Sequence, residues 1–167
     1  MSATFSPNGI LHTALSLVPV FVGAWALLRD GRIAPGTPIG RIYLWGMLAS
    51  IFSSFGLSST GGFNEAHALG GVALLVLAVG YNTHRLRWLG GLAEYVQVLS
   101  LSFSYLLLYI PAINETLKRV PPSRPLASSS DDPLILNLVG VALLLFMLGA
   151  AWQVWQLRRA RRRLAPA

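Results

Sequence analysis

The sequence predicts an all-helical, polytopic transmembrane bundle of five spans, with the N-terminus outside and the C-terminus in the cytoplasm. Three observations lead there. Only 11% of the 167 residues are charged and 54% are hydrophobic, whereas a soluble domain carries roughly 25% charged residues, so the chain lacks the polar surface a soluble fold would need. Five apolar stretches, at about 10–28, 42–59, 65–81, 91–111 and 133–157, each come near the ~20 residues that cross the hydrocarbon core. The basic residues gather in alternate connections, as the positive-inside rule requires of short loops.

The third observation sets the orientation. Arg29, Arg32 and Arg41 follow the first span, Arg85 and Arg87 follow the third, and Arg158, Arg159, Arg161, Arg162 and Arg163 follow the fifth. These are ten of the thirteen Lys and Arg residues, and five crossings put all ten on one side. An even count would strand the Arg-rich tail on the other. The opposite side receives an N-terminus without Lys or Arg, the STGGF turn, and the loop 112–132, where Lys118, Arg119 and Arg124 are balanced by Glu115, Asp131 and Asp132. The net charge of +7 is thus a topology signal, and no nucleic-acid partner is expected. The chain has no cysteine, which excludes disulfides, thiolate metal sites and Cys nucleophiles.

Span 1 starts without a basic n-region and ends in Leu27-Leu28-Arg29-Asp30, so it reads as a retained helix of the cell (inner, cytoplasmic) membrane rather than a cleaved signal. His12, Ser16, Pro19, Gly23 and Ala26 recur on one face of it. Span 2 carries Gly46, Ser50 and Ser54 at spacings of four, with Ser53 beside them. Span 3, within NEAHALGGVALLVLAVGY, is the stretch around which the others are expected to gather. Its inward face is predicted as His67, Gly70, Gly71, Leu74, Ala78 and Tyr81, with Val72, Leu75, Val76 and Val79 on other sides. Span 4 has Glu94, Gln97, Ser100 or Leu101, and Ser104 along one side, a stripe that lipid cannot satisfy. Small faces of this kind let helices pack closely, or leave room for a flat ligand. The domain plan is a four-helix core over 1–111, an extracytoplasmic Pro- and Ser-rich linker over 112–132, extended and mobile, a fifth span over 133–157, and a basic tail over 158–167. Asp132-Pro133 gives that fifth span its N-cap and first helical residue.

His12 and His67 each lie two or three residues into helices that run the same way, which puts both near the outer boundary at one depth. They are the candidate axial ligands of a b-type haem, whose iron takes ligands from opposite faces of a flat ring. The competing account is a pair of interfacial histidines making ordinary hydrogen bonds. A metal ion held with Glu65 would lack a secure third or fourth ligand. His84 lies 17 residues from His67, about 25 Å along a helix, and shares no ligand with it. At the cytoplasmic side Arg41, His84, Arg85, Arg87 and Glu94 form a second candidate polar cluster. The leading reading is therefore a redox or cofactor-binding membrane protein. The alternatives are a small proton or solute transporter, with the two polar clusters as its mouths, and a non-catalytic assembly or scaffold protein acting as a homo-oligomer or with a membrane partner. Arg158, Arg159, Arg161, Arg162 and Arg163 would meet anionic headgroups, and Trp88, Trp152 and Trp155 read as interface anchors. No Gly-x-Ser-x-Gly or His-Glu-x-x-His motif is present, and no catalytic residue is assigned.

LHTAL at the start of span 1, GRIYLW entering span 2, EAHALGG opening span 3 and HRLRWLGGL leading into span 4 resemble a bacterial family of small, mostly four-helix integral membrane proteins of unknown function. The resemblance covers residues 10–112. It implies the four-helix core and draws attention to His12, Arg41, His67 and Arg85, with span 5 and its linker as additions. The family often has a histidine just before the Gly-Arg pair of the first loop, where this chain has TPIGR.

Overall fold

A computed structural model describes residues 7–56 and 65–164, without the side chains of Glu65, Ala66 and Leu164. The STGGF turn, with Ser59, lies outside the described residues. Among these residues there are five α-helices and no strand: α1 (Pro7–Asp30), α2 (Pro38–Phe55), α3 (Glu65–Asn82), α4 (Ala93–Arg119) and α5 (Pro133–Leu164). Three segments are long and apolar enough to cross a membrane, namely α1, Arg87–Arg119 and Pro133–Arg163.

Each helix boundary has a local cause. The Thr37 hydroxyl accepts the Gly40 N–H at 3.0 Å, and Pro38 holds the first helical position. α2 therefore starts four residues before the expected 42 and takes Arg41 into its first turns. Between α3 and α4 the chain makes two short 3-10 turns, and Gly90 lies within the second, Arg87–Leu92, at φ +49°, where a side chain is disfavoured. α4 passes Pro111 and runs to Arg119, eight residues beyond the expected end of span 4. Glu115 pairs with both Lys118 and Arg119 one turn on, which supports a helix that proline has weakened by one hydrogen bond.

The remaining connection also differs from the extended, mobile linker expected over 112–132. Ala127 donates its N–H to the Leu117 carbonyl at 3.0 Å and is buried with Leu117 and Ile135. Asp132 caps α5 as expected, accepting the Leu134 N–H at 3.0 Å. α5 then continues through Arg158–Arg163, so the basic tail is the end of a helix.

α1 packs on α2, α2 on α3, α3 on α4, and α4 touches α1, which closes a four-helix bundle. α1 and α3 do not touch. α5 lies against α4 on the outside, with only 6% of its most apolar window buried against 39% for the α4 segment. The core is built on Ala26, Tyr43, Met47, Ala73, Leu77 and Leu101. On α1 the buried face is Pro19, Gly23 and Ala26, as the spacing indicated. On α3 it is Gly70, Ala73, Leu77 and Gly80, rotated from the expected face, and Gly71, Ala78 and Tyr81 are exposed. The glycines explain the rotation: a Cβ at Gly80 would stand 3.0 Å from the Leu101 side chain, and one at Gly70 3.3 Å from the Phe55 ring, whereas Gly71 faces open space.

α4 meets α1 through one large side chain laid over a glycine. The Tyr105 hydroxyl donates to the Val20 carbonyl at 2.9 Å, and a Cβ at Gly23 would lie 2.5 Å from the Tyr105 ring. Replacing Gly23 by Leu is expected to lower the thermal unfolding midpoint in detergent, with an overpacking cost of roughly 1–3 kcal/mol. Replacing Gly140, which has nothing within 4 Å, by Leu is expected to leave the midpoint unchanged.

Candidate functional site

Polar side chains collect at both ends of the bundle, and an apolar plug separates the two groups. At the first end, α1 and α2 share a hydroxyl network. Ser16 donates to its own turn, to the His12 carbonyl at 2.8 Å, and its oxygen lies 2.6 Å from Ser50 Oγ. Ser53 donates to the Ser50 carbonyl at 2.8 Å, and this leaves its oxygen to accept from His12 Nδ1 at 2.9 Å. This hydrogen-bond pattern assigns the His12 proton to Nδ1, and it leaves Nε2, 3.4 Å from Ser16 Oγ, with the lone pair. His67 meets the same end of α2 differently. Its ring stacks on Phe55 at 5.4 Å between centroids and 12° between planes, with Nε2 3.5 Å from the Phe55 carbonyl. Ser53 and Phe55 are two residues apart on a helix and point to opposite sides. The two histidines therefore reach one level of α2 from opposite sides of it. The side chain of Glu65 lies outside the described residues.

Tyr43, Met47 and Leu101 close the middle of the bundle, each no more than 1% exposed. The Tyr43 hydroxyl is satisfied by Ser104 at 2.8 Å.

At the other end lies a half-open cleft of about 450 Å³, lined by Arg32, Pro35, Tyr81, His84, Glu94 and Gln97 among others. That size falls in the ordinary range for small-molecule sites, roughly 300–1,000 Å³. Three separate parts of the chain hold its wall. Arg32 Nη1 donates to Glu94 Oε1 at 2.9 Å, and Arg161 of α5 stands 3.6 Å from Glu94 Oε2 while lying over the Tyr95 ring at 4.7 Å. Two guanidinium groups thus share one carboxylate and leave a net positive charge. Arg32 and Glu94 are over 40% exposed, so the pair is worth only about 0.2–1 kcal/mol of stability, and its importance is the placement of charge. His84 Nδ1 donates to the Tyr81 carbonyl at 3.1 Å, which leaves Nε2 as an acceptor. Gln97 donates to the buried Thr83 hydroxyl at 3.1 Å.

The loop that carries Arg32 is fastened from α5. Gln153, 5% exposed, donates through Nε2 to the Gly31 carbonyl at 2.8 Å and accepts through Oε1 from Ser102 at 3.0 Å. Gly31 has φ +68°, and a Cβ there would stand 2.7 Å from the Trp152 ring.

Of the cluster expected at this end, His84 and Glu94 share the cleft. Arg41 lies elsewhere, in a groove between α1 and α2, and Arg85 and Arg87 are exposed and form no ion pair among the described residues. In the terminal run, Arg161 is on Glu94, Arg159 lies over Trp155 at 5.3 Å, and Arg158, Arg162 and Arg163 are exposed. The residues that sequence reasoning passed over are Arg32, treated only as a topology charge, and Gln153. An amide inside the apolar run of α5 was the available signal, because lipid cannot satisfy it. Among the described residues no three His, Cys, Asp or Glu side chains stand together as a metal site.

No family model matches this chain, and neither a curated protein nor a solved structure matches it. The family resemblance rests on the four motifs quoted above.

Proposed function

We propose that the chain is a five-crossing protein of the cytoplasmic membrane, N-terminus outside, that binds a small anionic solute in the cleft at its cytoplasmic end. The observation that carries this reading is a half-open cleft lined by both Arg32 and Glu94, where Arg161, outside the lining, takes up the other oxygen of that carboxylate. The uncompensated guanidinium charge suits a carboxylate or phosphate group, which Arg binds through two parallel N–H donors. Tyr81, His84 and Gln97 add hydrogen-bonding partners that would orient the rest of the ligand. In a transporter this cleft would be the inner mouth, with the plug of Tyr43, Met47 and Leu101 shut behind it. The hydroxyl network around His12 would then lie at the outer mouth. Orientation rests on the ten arginines gathered in alternate connections. The exposed arginines that end α5 would lie against anionic headgroups.

A b-type haem ligated by His12 and His67 is the second reading. It is favoured by the His12 tautomer, since a ligating imidazole holds its other N–H on an acceptor, here Ser53. Bracketing one ring between the two histidines requires the last turn of α2 to give way.

Three measurements test these readings. Arg32→Gln is expected to weaken binding of small carboxylates or phosphates at least tenfold, the loss of one charge-assisted contact of roughly 1.5–3 kcal/mol, as read by calorimetry on the detergent-solubilised protein. Equal binding by Arg32→Gln, or none by wild type across such a panel, removes the solute reading. For topology, the natural absence of cysteine allows single-site labelling. Ser59→Cys and Ser129→Cys are expected to react with an impermeant reagent from outside and Ala160→Cys only after the membrane is opened. A Ser59→Cys protein that labels only from inside excludes five crossings with the N-terminus outside. For the haem, a reduced-minus-oxidised spectrum of protein made with haem precursor is expected to show a b-type signal that His12→Ala and His67→Ala each abolish. A colourless protein removes that reading.

A further inference from the structure

A second concavity lies on the outside of the bundle, between α1 and α2, and differs in chemistry from the cleft. Its volume is about 540 Å³, and Leu15, Val18, Ile42, Trp45 and Ala49 form apolar walls. Its single charged residue is Arg41, near the arginine end. The groove follows from how the two helices meet. A Cβ at Gly46 would lie 3.0 Å from Pro19 and 3.2 Å from Val18, so the helix backbones come close at that level. The larger side chains on either side then stand apart as two ridges. Val18, Ile42 and Trp45 are 40%, 50% and 71% exposed, so no other helix of the chain fills the space.

The shape suits a hydrocarbon chain. From Arg41 to Ala49 is eight residues, about 12 Å along α2, and an apolar chain lying there would meet no polar side chain until it reached the guanidinium. Arg41 is exposed and forms no ion pair among the described residues. It sits in the first turns of α2, at the end of the bundle where the other arginines gather. Under the five-crossing reading, on which this inference rests, that is the headgroup level of the cytoplasmic leaflet. Anionic lipids concentrate there, and basic residues near the surface attract them.

We infer that the α1–α2 groove is a binding site for an anionic glycerophospholipid, one acyl chain lying between Leu15, Val18, Ile42 and Ala49 and the phosphate paired with Arg41. Charge complementarity selects this occupant. A zwitterionic lipid brings its own cation to the same guanidinium, and a second protein helix would leave Arg41 unpaired at the edge of the contact. The site is separate from the solute cleft.

The test is native mass spectrometry of the full chain, released from detergent after incubation with phosphatidylglycerol or phosphatidylcholine. Wild type is expected to retain one phosphatidylglycerol per chain in preference to phosphatidylcholine. Arg41→Gln should reduce that retention roughly tenfold, in line with the loss of a charge-assisted contact. Ala49→Trp, which fills the groove, should abolish it, and Arg85→Gln, outside the groove, should leave it unchanged. Equal retention of the two lipids by wild type overturns the proposal. So does undiminished phosphatidylglycerol retention by Arg41→Gln, an effect of Arg85→Gln as large as that of Arg41→Gln, or a change of oligomeric state in Ala49→Trp without loss of lipid. Arg41 is an exposed side chain, so its variant keeps the fold and decides the matter if Ala49→Trp does not fold. Failure of the five-crossing reading registers separately, in the labelling of Ser59→Cys.

Discussion

Tyr105 reaches across from α4 to α1 because Gly23 has no side chain to stop it. Much of the bundle depends on that crossing. Between membrane helices the hydrophobic effect supplies little, and packing and hydrogen bonds have to hold them together. The Tyr105 ring fills the space over Gly23, and its hydroxyl ends on a backbone carbonyl of α1. Beside it, Tyr43 of α2 closes on Ser104 of α4. Two tyrosines thus tie α4 to α1 and α2, and α3 follows because Gly70 and Gly80 let it lie close to Phe55 and Leu101.

With the middle closed in this way, chemistry is confined to the ends. The two ends are unlike. At one, hydroxyls and an imidazole satisfy one another, with Ser16, Ser50, Ser53 and His12 each engaged with another member. At the other, charge is in excess, because one glutamate stands between two arginines, and Arg85 and Arg87, nearby in sequence, remain outside the pairing. A network that is already satisfied favours structure or a cofactor that exploits its tautomer. An unbalanced one favours a ligand that brings the missing charge.

The helical bundle was legible because the bilayer imposes a strong constraint on composition and run length. Each apolar stretch became a helix, and the face of α1 was readable from His12 to Ala26. The face of α3 was not. Its glycines and alanines satisfy several three-and-four spacings, and the contact partners Phe55 and Leu101, which select among them, lie on other helices. Glu94 was expected beside Arg41, Arg85 and Arg87, and none of these three pairs with it among the described residues. Proximity in sequence placed Arg85 and Arg87 beside it, whereas the fold brought Arg32 from the first loop and Arg161 from the end of α5. Long-range pairs of this kind are set by how helices stack, which a single sequence does not state. Gln153 was legible in principle, as an amide with nowhere to turn in lipid, yet its role as a fastener emerges only from the position of Gly31.

That fastener joins residues 122 positions apart, and it has a consequence for the order in which the protein is made. A chain emerges from the ribosome N-terminus first. The loop after α1 is among the earliest parts to exist, and the side chain that ties it down is among the last. α1 to α4 can assemble as a bundle while the Gly31 carbonyl still lacks the Gln153 amide, and the wall of the cleft takes its final form only when α5 arrives. A ribosome that stops short of residue 153 therefore leaves behind a bundle with its core packed and its cleft unlatched.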